Sequence, residues 1–277
     1  MRQILRSVGL GVLTLSLAIA GNTPAFAGFI FAGTDSDDHG FASGGANQDG
    51  WLFMQRAIEN IGAGVTNGNK VVTILGSSST ALTAATSAFN LSTLVGSGWT
   101  LQTVTTGNLA TFFGSGISSS GILMMDSGTN VGGGVDGATF VPYAATINTF
   151  LGNGGGLLSQ GNGYDWVTAL GLGLTVTDVG GGGIGNPITL TAAGNAAFPG
   201  LTNADLSTGP WHNYFTNTGV LPVLGTASDG NTTRALILGS AAGSVTNPNN
   251  PVPEPATLLL LGTGLAALVG FRRMKKA

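Results

Sequence analysis

Residues 147–170 read INTFLGNGGGLLSQGNGYDWVTAL. Helical spacing of apolar residues ends at Leu151, and Asn153-Gly154-Gly155-Gly156 turns the chain into a short apolar strand, Leu157-Leu158-Ser159. A second turn, Gln160–Gly163, leads directly into another helix, Tyr164–Leu170. Helix, strand and helix joined by glycine turns are the repeating unit of an α/β layer.

The unit extends in both directions. Upstream, Pro142–Leu151 reads as a helix with Pro142 in its first turn, where a missing N–H costs nothing. Gly121–Met125 (GILMM) is a buried strand ending at Asp126. Before it come a short helix at Asn108–Phe113, an alternating strand at Trp99–Val104 and a helix at Thr80–Val95. Lys70–Leu75 (KVVTIL) is a β-branched strand, Trp51–Ile61 has helical spacing, and Gly28–Gly33 is the first strand. Between these last two, Thr34–Gly50 is polar and glycine-rich. Downstream, strands are expected at Leu174–Val179, Ile188–Ala192, Val220–Thr226 and Arg234–Gly239. Strands alternating with helices predict an α/β fold, a mostly parallel sheet with helices on both faces. The glycine run Gly180–Gly183 and the short late strands leave α+β as the alternative.

The 147–170 region resembles the nucleophile elbow of class I glutamine amidotransferase-like domains, which have a flavodoxin-like layout. Their elbow reads G-x-C-x-G. Aligned on its last glycine, this chain reads Ser159-Gln160-Gly161-Asn162-Gly163. The position of the nucleophile is then Gly161, so the resemblance implies that the covalent chemistry of that family is absent.

Both ends carry address-like segments. Arg2 and Arg6 precede an apolar run, Val8–Ala20, and an A-x-A site at Ala25-Phe26-Ala27, so residues 1–27 read as a cleaved signal peptide. At the other end, Ser240–Pro251 is a Pro/Asn linker and residues 252–277 read VPEPATLLLLGTGLAALVGFRRMKKA. Pro253 and Pro255 exclude a helix before Ala256. Ala256–Phe271 then gives 16 apolar-rich residues, or about 24 Å of helix, slightly short of a bilayer span. Arg272, Arg273, Lys275 and Lys276 follow; they extend its reach to the headgroups and keep that end in the cytoplasm. The triplet Pro253-Glu254-Pro255, the short transmembrane helix and the basic end resemble the PEP-CTERM sorting signal of Gram-negative bacteria. That resemblance implies recognition by an exosortase, transient membrane anchoring, cleavage near the triplet, and an end point at the cell surface or in the extracellular biofilm matrix. The expected domains are the signal 1–27, a globular domain 28–240, a linker 241–251 and the sorting segment 252–277.

Between the signals the charge changes character. Of the nine Lys and Arg residues only three, Arg56, Lys70 and Arg234, lie within 28–252, against eleven acids, a net charge of about −8. No basic patch is available for phosphates, so nucleic acid is excluded as a partner. The absence of cysteine excludes a thiolate nucleophile and thiolate metal sites.

Candidate chemistry is sparse. Asp35, Asp37 and Asp38 stand beside His39 after the first strand, where open α/β sheets bind ligands. Clustered carboxylates suit calcium, but this cluster does not follow the EF-hand pattern, and no cofactor is expected beyond loosely held calcium. His212, in Pro210-Trp211-His212-Asn213-Tyr214-Phe215, reads as part of an aromatic-rich loop. It is either structural or a base beside stacking aromatics; Trp211, Tyr214 and Phe215 are core residues or a carbohydrate platform. Asp35, Asp37, Asp38 and His212 form the candidate ligand cleft. The reading is a non-enzymatic exported protein that binds polysaccharide. The alternatives are an exported hydrolase using His212 or His39 with an acid such as Asp126 or Asp165, and a calcium-dependent adhesin.

Overall fold

The apolar runs become strands buried on both sides. The computed structural model describes residues 28–239, except 37–40, 44, 45, 49, 127, 129–131, 162, 180–182, 208 and 231, and the side chains of 41–43 and 46–48. In chain order the strands are β1 (Phe29–Ala32), β2 (Phe41–Ser43), β3 (Ala46–Gln48), β4 (Val71–Leu75), β5 (Thr100–Val104) and β6 (Ile122–Met125). They continue with β7 (Gly156–Gln160), β8 (Leu174–Asp178), β9 (Ile188–Leu190), β10 (Asn213–Thr218), β11 (Val223–Asp229) and β12 (Thr232–Gly239). Ten of them form one sheet, ordered β5-β4-β6-β7-β1-β12-β10-β8, with β11 and β9 branching from β12.

The sheet is mixed, parallel in one half, as expected, and antiparallel in the other. β5, β4, β6, β7 and β1 are parallel neighbours, whereas β12, β10, β8, β11 and β9 pair antiparallel. The reason lies in the connections. Residues 34–155 link successive parallel strands through helical crossovers, as parallel pairing requires. β11 and β12 instead meet through a tight turn at Gly230, whose φ of +77° a side chain would strain.

Helices cover the parallel half on two sides. Gly50–Gly64 and Ser79–Leu91 bury Phe53, Ile58, Ala84 and Ala88 against Ile30, Ile74, Met124 and Leu158. The helical segment 106–119 and the helix Ala144–Gly152 bury Phe113, Ile147 and Leu151 against Phe31, Leu75, Leu123 and Leu157 on the opposite face. The chain leaves β4 toward the first face and β6 toward the second. It also leaves β7 toward the second face, where Tyr164 and Trp166 pack, and β1 toward the first. Crevices at carboxyl ends of strands open where the winding changes sides. Here that happens three times, between β5 and β4, between β4 and β6 and between β7 and β1.

Other differences from the sequence reading are local. Residues 41–43 and 46–48 pair antiparallel as β2 and β3. Residues 210–215, read as an aromatic-rich loop, run into β10, where Tyr214, Phe215 and Thr216 are consecutive residues that favour a pleated strand. Tyr164–Leu170 keeps only a 3₁₀ turn at Val167–Leu170. No helix among the described residues is long and apolar enough to cross a membrane. The expected signal, residues 1–27, and the expected transmembrane helix, Ala256–Phe271, lie outside the described residues.

Candidate functional site

The carboxyl edge of the parallel strands holds most of the buried polar side chains. At its β1 end the backbone makes the geometry. Gly33 follows β1, and a Cβ there would stand 1.8 Å from the Asn213 carbonyl oxygen, so only glycine admits the approach. Gly33 N donates to Leu236 O at 2.8 Å and His212 N donates to Gly33 O at 2.8 Å. Thr34 and Trp211 form an isolated antiparallel bridge. This clamp sets His212 Nε2 3.0 Å from Asp35 Oδ2, with both side chains 1% exposed. The carboxylate fixes the ring's orientation and favours a proton on Nε2.

Two residues of the expected cleft, Asp35 and His212, are therefore brought together, 177 positions apart in sequence. They are buried rather than lining an open surface. Asp37, Asp38 and His39 lie outside the described residues. Among the described residues no group of three or more His, Asp or Glu side chains could hold a metal ion. The aromatic platform does not form. Trp211 is fully buried on the first face and Phe215 is buried on the second. Half-buried Tyr214 carries the Arg234 guanidinium 4.5 Å from its ring centroid, and Arg234 Nε donates to Asp229 Oδ2 at 2.8 Å.

The turn after β7, where the elbow was expected, is built around Tyr164. Gly161 N donates to Thr34 O at 3.1 Å, which ties the turn to β1. Gly163 takes a φ of +85° and Tyr164 one of +55°. The strain at Tyr164 is held by packing: its ring meets Phe31 edge-on at 5.8 Å and lies 5.7 Å from Phe215. Its hydroxyl lies 2.7 Å from both Ala32 O and Ser159 O. Burial pushes the phenol well above its ordinary range, against the opposing pull of the hydrogen bonds to Ser159 and Ala32, so the group stays a neutral donor.

Three further residues meet between β4, β6 and β7. Ser77, just after β4, donates its hydroxyl to Asp126 Oδ2 at 2.5 Å. Gln160, the last residue of β7, turns its amide toward the same carboxyl without reaching hydrogen-bond geometry. Burial pushes the Asp126 carboxyl up from 3.8 to about 7, while the Ser77 hydrogen bond and the Gln160 amide pull it down. Register explains part of the meeting: Met124 pairs with Ile74 and with Leu158, so Asp126 and Gln160, two positions on, arrive side by side, and Ser77 follows one residue later, after Gly76 with its φ of +75°. Asp126 was recognisable from sequence only as an acid ending a strand. Ser77 and Gln160 carry no motif, and strand register alone reveals them.

No curated protein and no solved structure is significantly similar to the chain. Residues 251–274 match the PEP-CTERM protein-sorting motif. The match contains Pro253, Glu254, Pro255, Arg272 and Arg273; Lys275 and Lys276 follow it, and all of these lie outside the described residues. Through that motif the chain is an exosortase-targeted exported protein, bound for membrane-associated processing.

Proposed function

We propose that the protein is exported through the inner membrane after cleavage near Gly28, held briefly by the helix Ala256–Phe271, and cut by an exosortase close to Pro253–Pro255. The released domain, residues 28–240 with the linker 241–251, then works at the cell surface or in the extracellular biofilm matrix. It acts there as a non-enzymatic binding protein for polysaccharide. The observation that carries this reading is the sorting motif at residues 251–274. A glycine, Gly161, where the resembled elbow would carry its nucleophile, and the scarcity of charge between the signals support it. Co-sedimentation of the purified protein with the producing cell's extracellular polysaccharide tests it, and recovery of all the protein in the supernatant contradicts it.

The 3.0 Å contact between His212 and Asp35 favours one second reading, an exported hydrolase with His212 as base. Ester and glycan substrates assayed with wild type and His212→Ala separate the two. Turnover lost in the variant favours the hydrolase, and no turnover in either favours binding.

A further inference from the structure

We infer that the carboxyl ends of β4, β6 and β7, where Ser77, Asp126 and Gln160 meet beneath residues 132–136, bind a neutral polyhydroxyl ligand, the hydroxyls of a sugar ring. The inference rests on the binding reading above and gives it a site.

Position is the first argument. The site lies where the crossovers leave β4 and β6 toward opposite faces, the place where open α/β sheets take ligands. The second argument is unspent hydrogen-bonding capacity. Asp126 is 1% exposed and Gln160 0% exposed. By strict geometry Asp126 Oδ1 and both amide atoms of Gln160 have no hydrogen-bond partner, although the Gln160 amide lies near enough to pull the Asp126 carboxyl down, and Thr34 Oγ1, two residues beyond β1, has none either. Burying such groups without partners is costly. On the neighbouring side of the same strands Thr73 Oγ1 and Ser120 Oγ satisfy each other at 2.6 Å, whereas the buried amide of Asn213, at the start of β10, is also without a partner. The third argument is strain. Ser79 opens the helix above the site with a φ of +48°, a left-handed conformation costly for serine and concentrated at functional turns.

Chemistry selects the ligand. One carboxyl and one carboxamide on adjacent strands, about 4.8 Å apart, offer planar groups that donate and accept. Paired hydroxyls, each donor and acceptor at once, match them. An anion is disfavoured by Asp126 itself and by the acidic domain. The helix start offers phosphate little, because Ser78 N and Ala81 N already donate to Gly133 O and Gly132 O. The same bonds hold residues 132–136 across the turn, with Val135 against Gly76, so a ligand enters by displacing this strap.

The purified exported protein should be titrated calorimetrically with glucose, galactose and mannose, with glucuronate and inorganic phosphate as anionic controls. The expected result is saturable heat with at least one neutral sugar and none with the anions. Asp126→Asn and Gln160→Met should each weaken binding by about tenfold or more, the value of a hydrogen bond to a polar or charged group. Gln160→Met keeps the volume of the side chain, so it carries the test if Asp126→Asn does not fold. No heat with any neutral sugar overturns the inference, leaving a buried water cluster only. Heat retained undiminished in the variants also overturns it. If the protein still sediments with extracellular polysaccharide in that case, the binding reading stands and only this site falls.

Discussion

Asp35 and His212 meet at 3.0 Å inside the protein, joining the segment after β1 to the residue before β10. The contact ties the parallel half of the sheet to the antiparallel half. Removing one member of such a pair leaves the other buried without its partner, which is more costly than removing both. His212→Ala should therefore destabilise the protein by about 3 kcal/mol. The double variant with Asp35→Ala should cost less than the sum of the single variants, by on the order of 1–3 kcal/mol. Urea denaturation of the four proteins measures this, and strict additivity contradicts it.

Gly33 permits that contact. Gly33→Ala would push its methyl group into the Asn213 carbonyl, and backbone on both sides must then move apart. The expected loss is about 2 kcal/mol or more. It should be greater than that from Gly68→Ala, since Gly68 has a positive φ but nothing within 4 Å of its Cβ position. A melting series on the two variants orders them.

Tyr164 holds β1 to β7 through one hydroxyl. Tyr164→Phe keeps the ring packing and removes the donor, leaving buried carbonyls of Ala32 and Ser159 less satisfied. A loss of about 1–2 kcal/mol follows. Hydrogen exchange of the β1 and β7 amides should accelerate more than that of β5.

Asp126 gives stability a pH dependence of unusual sign for a carboxylate. Its folded pKa, about 7, lies above its ordinary value of 3.8. Between those two values the folded chain holds a proton that the unfolded chain has released, so stability falls as pH rises through that window. The contribution lost is on the order of 2–4 kcal/mol. Asp126→Asn, which cannot ionise, should flatten this decline and be relatively more stable above pH 7. Denaturation midpoints from pH 4 to pH 8 for both proteins check the slope.

The parallel half of the fold was legible because its strands are continuous apolar runs. VVTIL and ILMM cannot be mistaken once glycines bound them. β10 was hidden, since Asn213, Asn217 and Thr218 dilute its aromatics and one face is partly solvated. β2 and β3 are three residues each, FAS and ANQ, too short for an alternation to show in the sequence. The site was less legible still. Asp35 and His212 could be named as candidates, but their contact depends on β1, β12 and β10 lying side by side. Ser77, Asp126 and Gln160 converge only through the register of three parallel strands. The sorting signal was the reverse case: its triplet, apolar length and basic end are chemistry written along the chain, which needs no fold to be read.

The account turns on that signal being used, and the C-terminus of the exported protein tests it. Intact-mass and C-terminal peptide spectrometry should be run on protein recovered from the cell surface and medium. A chain beginning near Gly28 and ending close to Pro253–Pro255, without the Arg272–Ala277 end, is the predicted result. Exported protein that still carries Arg272-Arg273-Met274-Lys275-Lys276-Ala277 would contradict it.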